Sequence, residues 1–290
     1  VHTPPAERRL IINADDFGLT EGVNRAIVEL NAAHALSSAT LMATGPAFRD
    51  AIHEAFRQPS LGIGCHVVLL DGVPQLHASE LPTLAPHGRF RSTLGTFVAD
   101  LLRGRIAPRE IEQEAVAQIR RLQSAGITVT HLDTHKHTHI FPRVLRPLLR
   151  AALACGVAAV RNPFEPDWSL RLTWNAPRTR QLQVRTLRLF RRYFLRAVRM
   201  AGLRTTNGAL GVLATGTLDV PDVLRLFTHM PPGTWELVCH PGYVDPALER
   251  AHTRLITTRE TERTALLEAS KNLPASTPPF ELIHYGSLTH

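Results

Sequence analysis

The chain has 290 residues, 44% of them hydrophobic and 20% charged, with a formal net charge of +8 and a pI of about 10.3. This balance is globular, the length suits one α/β barrel, and no run of about 18 apolar residues exists to span a bilayer. Three cysteines without a CxxC pair exclude a disulfide framework and a zinc ribbon.

The segment Val1-His2-Thr3-Pro4-Pro5 lacks the apolar stretch of a secretory signal, so a cytoplasmic address is expected. Residues 9–14 read as a buried strand running into Asp15-Asp16-Phe17-Gly18, which stands two carboxylates at a strand's C-terminal end. Thr20 is placed to cap a helix from 21 to about 34, where Val23, Ala26, Ile27 and Leu30 keep helical spacing. A second strand over 38–43 leads into a helix over 47–56, and a third over 61–68 contains His66. Cys65 and Cys239 each precede a histidine; in a strand the sulfur then faces away from the imidazole, so both are expected to pack. Residues 71–92, with three prolines, form a long irregular insertion expected to wall a substrate site.

Helices are expected over 97–102 and 108–125, the second opened by Pro108. A fourth strand then runs into four histidines and an aspartate within nine residues, beginning at His131. A helix over 142–154 and a fifth strand over 156–163, ending near Arg161, follow. From 168 to 218 there is no Asp or Glu, while Arg185, Arg188, Arg192, Arg196 and Arg199 fall at steps of three and four. Such a basic amphipathic helix lies either on an anionic membrane or, solvated, against the barrel; no base-stacking array interleaves the arginines, which argues against nucleic acid. Later strands are expected over 210–214, 235–242 and 280–285, and Thr257-Thr258-Arg259-Glu260 reads as a capping box opening the last helix. Strands alternating with helices, without GxGxxG or GxxxxGK[ST], predict a single-domain, irregular TIM-barrel-like (β/α) barrel.

Asp16, His66 and His135 come from three strand ends, where barrels collect their chemistry. One carboxylate and two imidazoles give a divalent ion three ligands and leave positions for water and substrate. Asp15 is then free to act as general base, although an Asp-Asp pair also reads as a helix N-cap cluster. His240, in His-Pro-Gly, is placed as general acid. Arg161 either holds Asp15 ionised through a charge-assisted hydrogen bond or serves as a surface ion-pair partner. Asp133, His137 and His139 are assigned to substrate contacts or to orienting the ligands.

Residues 10–20, 62–66, 130–139 and 236–242 resemble, in order, the successive motifs of the YdjC-like (ChbG-type) carbohydrate deacetylases. The resemblance implies a barrel-like α/β fold and one divalent ion, zinc or magnesium, held at Asp16, His66 and His135. It implies removal of an N-acetyl group from an amino sugar, with Asp15 matching the base and His240 the group that protonates the departing amine. Thr134 stands where the family more often carries Ser. The arginine-rich segment and residues 202–207 resemble the hopanoid-biosynthesis-associated members, which act on an N-acetylglucosaminyl hopanoid. That subgroup implies a glycolipid substrate, an anionic membrane partner and a location on the membrane's inner face; a soluble chitooligosaccharide is the nearest competitor. A metal-dependent phosphoesterase or amidohydrolase, and a non-enzymatic basic membrane- or RNA-binding protein, compete more distantly, and homo-oligomerisation stays open.

Overall fold

The computed structural model describes residues 7–173 and 178–288; the expectation drawn from residues 1–5 lies outside them. At the centre is β1 (Arg8–Phe17), buried from Leu10 to its end. It pairs in parallel with β2 (Ser38–Leu41) on one edge and with β6 (Gly233–Cys239) on the other, and β2 is followed by β3 (Gly62–Val67) and β4 (Leu132–Thr134). Beyond β6 lies β5 (Gly208–Leu210), giving the order β4-β3-β2-β1-β6-β5. A short β7 (Glu281–Leu282) pairs with β1 at Arg9 and Leu10, next to the amino-terminal side of β2.

The parallel sheet curls until its edges nearly meet. Single bridges from Leu132 to Val160 and from Ala159 to Arg204 span the seam, the second just upstream of β5. The fifth strand expected over 156–163 is thus reduced to these bridges, and the strand expected over 210–214 lies earlier, at β5. The result is an irregular α/β barrel.

Helices α1 (Glu21–Ala32), α2 (Phe48–Arg57), α3 (Leu94–Leu102), α4 (Pro108–Ser124), α5 (Pro142–Ala154), α6 (Asp167–Leu172), α7 (Arg178–Leu187), α8 (Arg191–Met200), α9 (Val220–His229), α10 (Pro246–Arg250) and α11 (Thr258–Lys271) lie between the strands in sequence. Thr20 caps α1 as expected, accepting the Val23 N–H. The capping box of α11 does not form: Thr257 is already helical and makes no side-chain cap, and Glu260 accepts the Val244 N–H instead. The 71–92 insertion is irregular and is tied to α4, where Glu114 accepts the N–H groups of Gln75 and Leu76 and Glu110 those of Thr83 and Leu84.

The arginines at 185–199 do not share one continuous helix. A 3-10 turn at Arg188–Phe190 separates α7 from α8, and Arg188 is paired with Asp167. On α8, Phe194 and Val198 are buried against the barrel, while Arg192, Arg196 and Arg199 are exposed. The apolar stripe is therefore spent on the barrel and the basic stripe faces outward. None of the described helices is long and apolar enough to cross a membrane.

Period-2 alternation sorts the strand residues into two layers. Leu10, Ile12 and Ala14 join the main core, whereas Ile11 packs with Ala159, Ile283, Tyr285 and Leu288 in a separate cluster. The lumen carries polar groups above that cluster: Asn13, Thr40, His66, His131, Asp133, Arg161 and Glu236 are all buried. Glycine is required where they crowd, since a Cβ at Gly64 would lie 2.4 Å from the His131 ring.

Candidate active site

The two adjacent aspartates reach one place because β1 is irregular at its end. Its pairing with β2 shifts register between Ala14 and Phe17, and Asp16 is left-handed at φ 65°. A regular strand would send the two carboxylates to opposite faces, and the bulge re-aims them. Asp16 Oδ1 lies 3.5 Å from His66 Nε2 and 3.5 Å from His135 Nδ1, and those two nitrogens are 3.3 Å apart. Neither aspartate caps α1, a task Thr20 performs.

These three donors fit a divalent ion. Ligand bonds of about 2.1 Å at tetrahedral angles set neighbouring donor atoms about 3.4 Å apart. His66 also has the support expected of a ligand, because its Nδ1 meets Asp133 Oδ1 at 2.8 Å, which turns Nε2 toward Asp16 and His135. His66 and Asp133 are register partners on β3 and β4, so strand pairing itself builds this contact. Asp15, His66 and Asp133 form a second close group. It fits an ion less well, since Asp133 is committed to His66 and Asp15 to Arg161.

Arg161 is fully buried, which removes the surface ion-pair alternative. Its Nη1 and Nη2 donate to the two oxygens of Asp15 at 2.9 and 2.6 Å, its Nε donates to Glu236 at 2.7 Å, and Nη1 also donates to Asp133. Burial alone would raise the Asp15 carboxyl, but the charges of Arg161, His66 and His240 hold it well below the usual range. Asp16 follows the same pattern, with Arg259 and His135 outweighing burial. His240 stands opposite, its Nε2 3.7 Å from Asp15 Oδ2.

The remaining histidines of the cluster separate. His139 is buried, with Nδ1 2.7 Å from Thr134 Oγ1 and its ring beside Phe194 of α8, so it braces the loop. Lys136 and His137 are both left-handed, at φ 56° and 53°, a costly arrangement for consecutive non-glycine residues. His137 lies between solvent and interior, and burial holds it neutral, down to about 3. Lys136 pairs with Asp71 at 2.6 Å, which brings the start of the insertion to this loop. His131 stacks on Tyr285 below the site.

Several groups had no signal in the sequence. Thr40 Oγ1 is 3.3 Å from Asp15 Oδ1, 3.2 Å from His66 Nδ1 and 3.4 Å from Asp133 Oδ2. Glu236 lies beneath Arg161, while Arg259 and Glu262 reach in from α11. Only alternation along β2 and β6 could have suggested the first two.

Known proteins resemble the chain over most of its length. A family model described as YdjC-like protein matches residues 9–271. A carbohydrate deacetylase of Brevibacillus brevis is 32% identical over 241 residues, covering 83% of this chain and 84% of the relative. A chitooligosaccharide deacetylase of Salmonella paratyphi C is 30% identical over 251 residues, covering 84% and 86%. A solved structure from Enterococcus faecalis V583, provisionally assigned to cellobiose-phosphate cleavage, superposes with a TM-score of 0.77 at 23% identity, covering 98% of this chain and 100% of that one. That last likeness carries the fold.

Proposed function

The chain belongs to the YdjC-like family, and from that premise we propose that it is a metal-dependent carbohydrate deacetylase that hydrolyses the N-acetyl group of an amino sugar. The observation that carries the reading is the triangle of donor atoms from Asp16, His66 and His135, set beside Asp15 on Arg161 and facing His240.

Asp16, His66 and His135 would hold one zinc or magnesium ion. When bound, such an ion polarises the acetyl carbonyl and acidifies water. Asp15 accepts the proton of the attacking water. Its pairing with Arg161 keeps it ionised and correctly aimed at some cost in basicity. The C–N bond then breaks as His240 gives a proton to the sugar nitrogen, which otherwise would leave as a poor amide anion. Acetate and a free amine result. Asp133 holds His66, and Arg161 holds Asp133 and Asp15 in one frame.

For the substrate we propose a lipid-linked amino sugar, an N-acetylglucosaminyl hopanoid presented at the inner face of a membrane. The outward arginines of α8 and the exposed Leu182, Leu189 and Met200 support this, because Phe194 on the same helix packs beside His139 at the site end of the barrel. A soluble chitooligosaccharide is the second reading, favoured by the Salmonella relative. Acetate release from the glycolipid and from N,N′-diacetylchitobiose, measured side by side, separates them: release from the lipid alone supports the first, release from chitobiose alone replaces it with the second, and release from neither sinks both.

A further inference from the structure

Two charged side chains three residues apart on α11 reach opposite halves of the site. Arg259 and Glu262 are both buried, at 0% and 1% exposure. Arg259 Nη2 donates to Asp16 Oδ2 at 2.6 Å, while its Nε donates to the Leu255 carbonyl. The Asp16 carboxylate is thereby divided, with Oδ2 on the guanidinium and Oδ1 toward His66 and His135. Glu262 Oε2 accepts the His240 N–H at 2.6 Å, and its Oε1 accepts the Gly216 N–H at 2.8 Å. The backbone joins the two arms, for Gly242 N–H donates to the Arg259 carbonyl at 3.3 Å. A side chain at Gly242 would press on this brace, since a Cβ there lies 3.0 Å from Arg259 Cδ.

We propose that α11 is the positioning element of the site, Arg259 fixing the ligand rotamer of Asp16 and Glu262 fixing the backbone that presents His240. The inference rests on the metal-dependent reading above. Asp16 needs such a partner because it sits at a left-handed bulge, where the strand no longer dictates its direction. A positive charge beside a cation site would by itself weaken binding. A buried carboxylate without a fixed partner, however, is free to turn away or to chelate through both oxygens, and partners that orient ligands generally strengthen metal sites. For Glu262, two backbone N–H groups converge on one carboxylate, that of His240 tying the turn ending β6 to α11 and that of Gly216 tying the segment after β5.

The test is zinc affinity by competition with a chromophoric chelator, together with kcat and KM for acetate release, in the full chain. Arg259→Met is expected to bind zinc roughly 10–100-fold more weakly, with Arg259→Lys between it and the parent. Glu262→Gln is expected to keep zinc affinity within about twofold while kcat falls about tenfold or more at similar KM, the loss expected of a mispositioned acid. Parental zinc affinity in both Arg259 variants, or parental kcat in Glu262→Gln, overturns the proposal. If Arg259→Met does not fold, Arg259→Lys decides alone: weakening supports the brace and parental affinity overturns it. His66→Ala separates the two levels, because a parent that binds no zinc, or a His66→Ala protein that binds it equally well, removes the metal reading itself.

Discussion

Asp15, Asp133 and Glu236 share the Arg161 guanidinium, and what else surrounds each carboxyl decides what it can do. Asp15 is held by both terminal nitrogens of Arg161, so it stays charged, and its proposed task needs that charge more than it needs basicity. Asp15→Asn should therefore keep zinc in place while kcat falls roughly 10²–10⁴-fold; metal analysis beside acetate release checks this, and a normal rate would remove Asp15 as the base. Glu236 is the opposite case. Burial pushes it up to about 7 even though Arg161 and the Tyr285 hydroxyl favour its charge. The folded protein thus keeps a proton that the unfolded chain loses from its ordinary value of 4.5. Its contribution to stability is full below that value and fades as pH rises to about 7, by on the order of 3 kcal/mol. Glu236→Gln carries no charge at any pH, so urea midpoints at about pH 5 and about pH 8 should lie closer together in the variant than in the parent. An unchanged gap would mean that Glu236 is already ionised in the fold. Asp16, His66 and His135 were legible because each stands in a short motif at a strand end. Thr40, Arg259 and Glu262 were not, because a lone threonine in a strand, or an Arg and a Glu on a helix, look like any others until register and packing bring them in.

Elements with strong periodicity are legible in the sequence, and those set by tertiary contacts are not. The helix expected over 142–154 is found there as α5, since proline opens it and its apolar face is regular. The fifth strand contracted to bridges because it closes the barrel seam, where few partners remain for a ladder. The basic helix was legible in composition but not in continuity. Its 3-10 break at Arg188–Phe190 coincides with the pairing of Arg188 to Asp167, and α8 presents Arg192, Arg196 and Arg199 outward while Arg185 is exposed on α7. Charge reversal at Arg192, Arg196 and Arg199 should accordingly weaken association with anionic liposomes while leaving hydrolysis of a small soluble acetamido sugar unaltered. Unchanged liposome association would discard α8 as a docking face. Within β3, Gly64→Ala should destabilise the fold by about 1–3 kcal/mol through overpacking against His131, read as a lower thermal midpoint; no shift would show that the ring moves aside freely.

At the scale of the molecule, the barrel gathers residues from positions 15 to 262 into one lumen, with polar groups stacked above an apolar floor. Its hydrogen-bond frame joins Asp15, Asp133 and Glu236 through one guanidinium. The net charge of +8 suits an anionic surface and does not by itself choose between lipid and soluble sugar. The most direct test is acetate release by metal-stripped protein as zinc is returned stepwise, using both the glycolipid and N,N′-diacetylchitobiose. Activity should be absent in the stripped protein, rise in proportion to zinc and level off at about one ion per chain, as expected of a single open three-ligand site, with His66→Ala inert throughout. Acetate release that survives stripping, or none from either sugar with zinc bound at Asp16, His66 and His135, would contradict a metal-dependent deacetylase.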